Sequence, residues 1–235
     1  MGPLILKRRG YGKLTQSAGT VITRLVEPAE GLFTTLADFE YTCSTTAHTL
    51  TVMRPLGKTY ASAAAAASQA VINIEHNPGA YSDFGTINTA NNNIAANDFV
   101  VYQTADGNYV LDTVSSVSTL AITMANNVPT ATVLKGAPFW WFGVIGDTNP
   151  NDNQTHPQFT LAASSTTNLF GDKPGHSLAG GIGSITPAAG LLGLFSSTYG
   201  KLLLDGKNEP LVLHSGNATA AGVMERVTAV YSNVG

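Results

Sequence analysis

Charge is scarce in this chain: of its 235 residues only 11% are Asp, Glu, Lys or Arg, against roughly 25% in an ordinary soluble protein. That shortage excludes a disordered polyampholyte, and the formal net charge of -3 excludes a basic nucleic-acid binder. Cysteine is nearly missing too. Cys43 stands alone, so no disulfide can form within the chain and the fold must be held by its own core or by partners. No apolar run reaches the roughly 18 residues that a membrane-spanning helix needs. The opening Met1-Gly2-Pro3-Leu4-Ile5-Leu6 is short and is followed by Lys7-Arg8-Arg9, the reverse order of a secretory leader. Position 6 also lacks the Ser or Thr of a myristoylation signal. Without a leader, the sequons at Asn153 and Asn217 read as accidental.

What replaces charge is Thr, Ser, Asn, Ala and Gly. A surface built from these gives up solubility that a free cytoplasmic enzyme would normally want, and it suits a chain that sits in an assembly. The exception is the N-terminus. Residues 1–19 concentrate Lys7, Arg8, Arg9 and Lys13 among glycines with no sustained period, which reads either as a frayed end or as an extended arm that orders against an acidic partner. On the second reading, deleting 1–19 weakens attachment to a partner without unfolding the body.

From Thr20 the pattern is mainly β. Val21–Val26, the alternation of Phe39, Tyr41 and Cys43 with Asp38, Glu40 and Thr42, and the run Leu50 to Met53 mark half-buried strands. Tyr60 to Ala70 is alanine-rich, and intrinsic propensity predicts a short helix there. Val71 to Ile74 reads as a strand, and the Asn-rich stretch 88–97 as a loop. A hairpin follows, with strands 98–103 and 109–114 around Asp106-Gly107. Further strands are expected at 120–124 and 139–145. Short strands at this spacing predict a small β-barrel over 94–146. The run Gly146 to Asn153 marks a boundary. Beyond it come a strand at 159–161, a Gly-rich segment from Ser164 to Gly190, and strands at 210–214 and 223–231. The expected architecture is a β-sandwich base from 20–93 and 147–235, with the barrel inserted and little helix.

Motifs for chemistry are weak. His48, His76, His156, His176 and His214 have no ligand spacing, so no zinc site is predicted. Asp147-x-Asn149-x-Asn151 begins like a calcium loop, but Asp152 stands where glycine is needed and Gln158 where glutamate is. An Asx-rich turn accounts for it, with a looser cation site left open. His214-Ser215-Gly216 lacks the strained elbow of a serine nucleophile. Gly181-Ile182-Gly183 lacks the third glycine of a dinucleotide loop, and no phosphate loop occurs. Fifteen acids without repeated spacing single out no acid/base pair. Neither cofactor nor metal is expected, and no catalytic residue.

Phe139-Trp140-Trp141-Phe142 is the densest aromatic cluster. In a strand its members point alternately to two faces, so one pair either packs under a second layer or is offered to a partner. The candidate partner-binding residues are therefore Lys7, Arg8, Arg9, Lys13, Trp140 and Trp141. An exposed Trp140 or Tyr81 would alternatively serve as a stacking platform for sugar rings.

The segments Ile94 to Val100, Thr113 to Val117 and Phe139 to Gly143, together with the ending Glu209 to Gly222, resemble virion structural proteins of tailed bacteriophages, most closely head decoration (cement) proteins. The resemblance covers about half the chain and is one of strand pattern. It implies a non-enzymatic β-rich protein, often a homotrimer, that binds the major capsid protein on the capsid surface and braces shell subunits after assembly in the host cytoplasm. Charge and hydropathy give no expectation of a nucleic-acid or membrane partner. A tail, neck or head-fibre module that binds host-surface carbohydrate is the alternative, and a hydrolase hidden in a β fold is a third.

Overall fold

The structure is a computed structural model that describes residues 5–18, 20–78, 94–129, 131–144, 158–168, 176–178, 204–216 and 220–233. Two compact units emerge, one from Met1–Arg54 with His156–Gly235 and one from Pro55–Thr155. In chain order the first unit contributes β1 (Leu6–Tyr11), β2 (Leu14–Gln16), β3 (Val21–Val26), β4 (Phe33–Cys43) and β5 (His48–Met53). The second contributes β6 (Gly57–Tyr60), β7 (Val71–Asn73), β8 (Phe99–Gln103), β9 (Tyr109–Ser118), β10 (Ala121–Met124) and β11 (Pro138–Gly143). The first then resumes with β12 (Gln158–Leu161), β13 (Thr166–Asn168), β14 (His176–Leu178), β15 (Leu204–Lys207), β16 (Leu211–Gly216) and β17 (Gly222–Ser232). The protein is mainly β, as its period-two alternation predicts.

The first unit is a sandwich of two sheets. One runs β1-β17-β4-β13-β14, with β15 also on β4 and β2 also on β17; the other runs β12-β5-β16-β3. Phe39 and Tyr41 of β4 and Val227, Ala229 and Tyr231 of β17 share one buried cluster with Leu50, Val52, Leu211, Leu213, Ile22 and Val26 of the other sheet. Along β4 the inward set changes phase, from Thr34 and Leu36 to Phe39, Tyr41 and Cys43. A β-bulge makes the change. Thr228 pairs with Asp38 and Ala229 with Leu36, leaving Ala37 as the extra residue, which turns the second half of the strand by one side-chain position.

The N-terminal stretch expected as an arm is, in its described part, a strand of this sheet. β1 pairs with β17 from Leu6↔Ser232 to Tyr11↔Val227, and β2 continues along β17 from Leu14↔Met224 to Gln16↔Gly222. Leu6-Lys7-Arg8-Arg9-Gly10 shows no apolar alternation because main-chain hydrogen bonds, and not an inward face, hold it.

The second unit is the small barrel. Its sheet runs β6-β11-β8-β9-β10-β7, and its two edge strands meet at one end through the Ala61↔Ile74 bridge. Backbone bonds Ser62 N to Asn73 O (2.8 Å) and Glu75 N to Tyr60 O (2.9 Å) hold the same junction. The interior collects Ile72, Val100, Tyr102, Val114, Ile122, Phe139 and Trp141. Residues 57–60, for which the pattern predicts no strand, and the strand 71–73, both within the stretch expected in the sandwich, thus belong to the barrel, since a local pattern does not reveal a strand's partner. The hairpin forms as predicted. Phe99↔Thr113 to Gln103↔Tyr109 is its register, and Gly107 takes the left-handed φ of 82° that its turn needs.

The helix predicted over 60–70 does not form; bends, turns and the bridge Ala65↔Val133 occupy the stretch. Its amides are committed elsewhere: Ala61 N to Ala137 O (2.9 Å), Ala65 N to Val133 O (2.9 Å) and Ser68 N to Val128 O (2.8 Å). Alanine side chains offer a helix too little apolar surface to compete with those inter-segment bonds. The Asp147–Asn153 run, Tyr81, both sequons and most of the Gly-rich segment lie outside the described residues.

Inside the barrel, Asp98 is 4% exposed and its Oδ2 accepts Trp141 Nε1–H at 2.7 Å and Ala95 N–H at 2.8 Å. Asp98→Ala leaves the buried Trp141 Nε1–H without that acceptor, and is expected to lower stability by about 2–3 kcal/mol. Urea unfolding, followed through tryptophan fluorescence, measures it.

Candidate functional site

The site begins where the charge is. Lys7, Arg8, Arg9 and Lys13 all precede Glu27, the first acidic residue of the chain. Without those four, 8 basic residues face 15 acidic ones, a balance of -7. The N-terminal strand therefore carries a cationic edge on an otherwise acidic protein. Residues 5–10 are exposed, Leu6 at 62%, and β1 ends the path of its sheet with β17 as its one partner among the described strands.

Tyr11 anchors that edge. The Arg9 and Arg24 guanidinium groups lie over its ring at 5.0 and 5.6 Å from the centroid. Its hydroxyl is 3.0 Å from that of Tyr231 and accepts Glu27 N–H at 3.1 Å. Tyr231 in turn donates to Glu27 O at 2.8 Å, Arg9 is paired with Glu27, and Arg24 donates to Gly12 O. Burial pushes the Tyr231 phenol far up, with the Tyr11 hydrogen bond adding to the shift. Lys13 reaches Glu225 at 3.6 Å. Of the four cations, Lys7 and Arg8 are the two with no ion pair among the described residues. Cation–π and hydrogen-bonded contacts of this kind contribute about 0.5–1.5 kcal/mol each.

The two tryptophans are placed elsewhere. Trp141 is 5% exposed, inside the barrel on Asp98. Trp140 points to the opposite side of β11 yet is 1% exposed, covered in part by Tyr109 (ring centroids 5.8 Å apart) and by Lys58 Nζ at 5.3 Å from its ring centroid. Both rings are closed to a partner or a sugar in this conformation.

A second cluster lies in the sandwich. Gln16, Tyr41, His48 and Ser215 are each 0–1% exposed. Gln16 Nε2 donates to Thr20 O and, at 3.3 Å, to Ala220 O, which orients its carbonyl toward Tyr41. The Tyr41 hydroxyl donates to that Oε1 at 2.9 Å and lies 3.0 Å from His48 Nδ1. With the phenolic proton committed to Gln16, His48 Nδ1 carries the hydrogen of that contact, which leaves Nε2 bare, buried and without a hydrogen-bond partner among the described residues. Burial raises the Tyr41 phenol, and the nearby Ser215 hydroxyl offsets part of the shift. Gly222 completes the site: a Cβ there would lie 2.6 Å from the Tyr41 hydroxyl and 2.7 Å from His48 Cε1, so only glycine fits.

His214 and Ser215 face opposite sides of β16. His214 Nδ1 is 3.0 Å from Thr23 Oγ1, while Ser215 points inward. The buried serine and the buried histidine reach no solvent here. Among the described residues no three His, Cys, Asp or Glu side chains converge as a metal cage. Sequence reasoning found the cations but missed Tyr11, Gln16, His48 and Gly222, which carry no motif and are joined only by tertiary pairing.

No family model and no curated protein matches this chain. Among solved structures, it is similar to VP17, a capsid protein of bacteriophage P23-77, with 7% identity and a TM-score of 0.18 over 98% of this chain and 97% of that one. It is also similar to VP2 of the infectious bursal disease virus subviral particle, with 12% identity and a TM-score of 0.13 over 97% of this chain and 41% of VP2. Likeness at this level carries no argument about function.

Two outcomes follow from the site. Burial lowers the pKa of His48 and of His214, so below the ordinary value near 6.5 the unfolded chain binds more protons than the folded one. The stability that the neutral imidazoles contribute is full above that value and is lost as pH falls through the window beneath it. The denaturation midpoint is expected to drop between about pH 7 and 5, and less so in His48→Asn, which keeps a donor near Nδ1 and cannot titrate. Truncation separates edge from anchor. Removing residues 1–8 spares Tyr11 and Gln16 and is expected to leave the melting temperature within a few degrees, whereas removing 1–19 unfolds the sandwich at ambient temperature, as calorimetry will show. The second outcome departs from the expectation that deleting 1–19 spares the body, because β1 and β2 pair with β17.

Proposed function

We propose that this protein is a structural component of a phage virion: a cement protein on the outside of the capsid that binds the major capsid protein and braces contacts between shell subunits. One observation supports the reading above the others, the exposed cationic strand β1 on a charge-poor, acidic, all-β body. A brace needs contacts spread over several neighbours, and an exposed edge strand offers one of them. Low charge with abundant Thr, Ser and Asn suits a wet, hydrogen-bonded interface. Repetition over a symmetric shell turns weak contacts into firm attachment through multivalency. Homotrimers, as the strand-pattern resemblance implies, would present three such edges each. The carbohydrate-binding alternative loses Trp140 as its platform, because that ring is buried.

The deciding measurement is copy number on purified particles by quantitative gel densitometry. The cement reading expects from about one-third to one copy per shell subunit, the stoichiometry of symmetric surface sites. A few per cent or less would move the protein to the neck, tail or fibres, and absence from particles would discard the virion role. Light scattering of the free protein is expected to give three times the 24.4 kDa chain mass.

A further inference from the structure

We propose that the outer edge of β1 is a docking site for an acidic extended strand of a neighbouring shell subunit, which adds to the seven-stranded sheet edge to edge. The proposal deepens the cement reading and rests on it for the source of the strand; the chemistry rests on β1 itself. One side of β1 is hydrogen-bonded to β17. Its other side faces no described strand, and a strand edge presents a row of unpaired amides and carbonyls that pairs readily with another chain.

Exposure and charge choose the occupant. Leu6 to Gly10 are exposed on both faces of the sheet, so an incoming strand meets no packed layer. Alternation puts Lys7 on one face and Arg8 on the other. Neither has an ion pair among the described residues, whereas Arg9 and Lys13 are held by Glu27 and Glu225. An added strand with acids at successive positions would therefore find one available cation on each face. A second copy of β1 is a poor occupant: in a centred antiparallel pair Arg8 would face Arg9, and like charges directly opposite one another are destabilising. Charged edges also guard sheets against indiscriminate pairing. Here the guard and the selector are the same side chains, which repel a cationic strand and attract an acidic one.

The test uses the full chain and two synthetic peptides of about ten residues, the upper length of ordinary strands: one repeats Glu-Glu-Val, which puts acids at successive positions and so on both faces, the other Lys-Lys-Val. Amide exchange at residues 6–10 is read by NMR. With the acidic peptide at ten times its dissociation constant, exchange of the outward amides of β1 is expected to slow about tenfold, while the lysine peptide leaves it unchanged. The double variant Lys7→Glu, Arg8→Glu is expected to reverse the preference without changing the melting temperature, because both side chains project into solvent. No slowing by the acidic peptide, or equal slowing by both peptides, overturns the proposal. The shell as source is tested apart from this: on particles that carry the wild-type protein at high copy, normal occupancy by the double variant removes the shell strand from the edge while leaving the virion role intact.

Discussion

Strand β17 must be hydrogen-bonded along both of its edges, and the first unit is arranged around that requirement. β4 pairs with one side from Cys43 to Phe33. The other side is covered by β1 and β2, drawn from the opposite end of the chain. An eleven-residue central strand with one bare edge would leave a row of backbone groups unpaired. Closing it with residues 6–16 ties the N-terminus to the C-terminus and places the basic residues at the new edge. The position of the cations is thus a consequence of sheet completion.

The same requirement explains where polar groups are tolerated inside. Gln16 is the last residue of β2 and Tyr41 lies opposite Met224 on β4; they meet because β17 separates them by one strand and Gly222 carries no side chain. A buried tyrosine, glutamine and histidine then satisfy one another in place of water, with His48 kept neutral by its surroundings. Such a cluster has to be satisfied nearly completely to be worth burying, and His48 Nε2 and Ser215 Oγ are where it is least so. Tyr11 plays the corresponding part outside, where two arginines and a second tyrosine hold the end of β1 on the sheet.

Particular residues show what could be read in advance. Phe39, Tyr41 and Cys43 alternate with polar neighbours and point inward as that alternation says. Asp106-Gly107 makes its turn because Gly107 takes a left-handed φ and the Asp106 carboxylate accepts from Thr104 and Asn108. The alanines at 61–67 misled, since propensity describes an isolated segment while Ala61 and Ala65 are bonded to residues far along the chain. Trp140 and Trp141 were legible as a strand with two distinct faces. That both faces are covered was not, because burial depends on what packs against a strand and not on the strand's own composition.

By itself the amino-acid sequence determined the mainly β class, the absence of internal disulfides, the hairpin at 98–114 and the gathering of four cations within residues 7–13. These depend on side-chain period, residue type and order, which are local properties. Only the tertiary structure decided that residues 6–16 are strands of a sheet, that 57–60 and 71–73 belong to the barrel, and that Gln16, Tyr41 and His48 form one buried network. Each of these is a pairing between segments far apart in the chain. Backbone amides and carbonyls are the same in every residue, so the bonds that make such pairings leave no mark in the sequence.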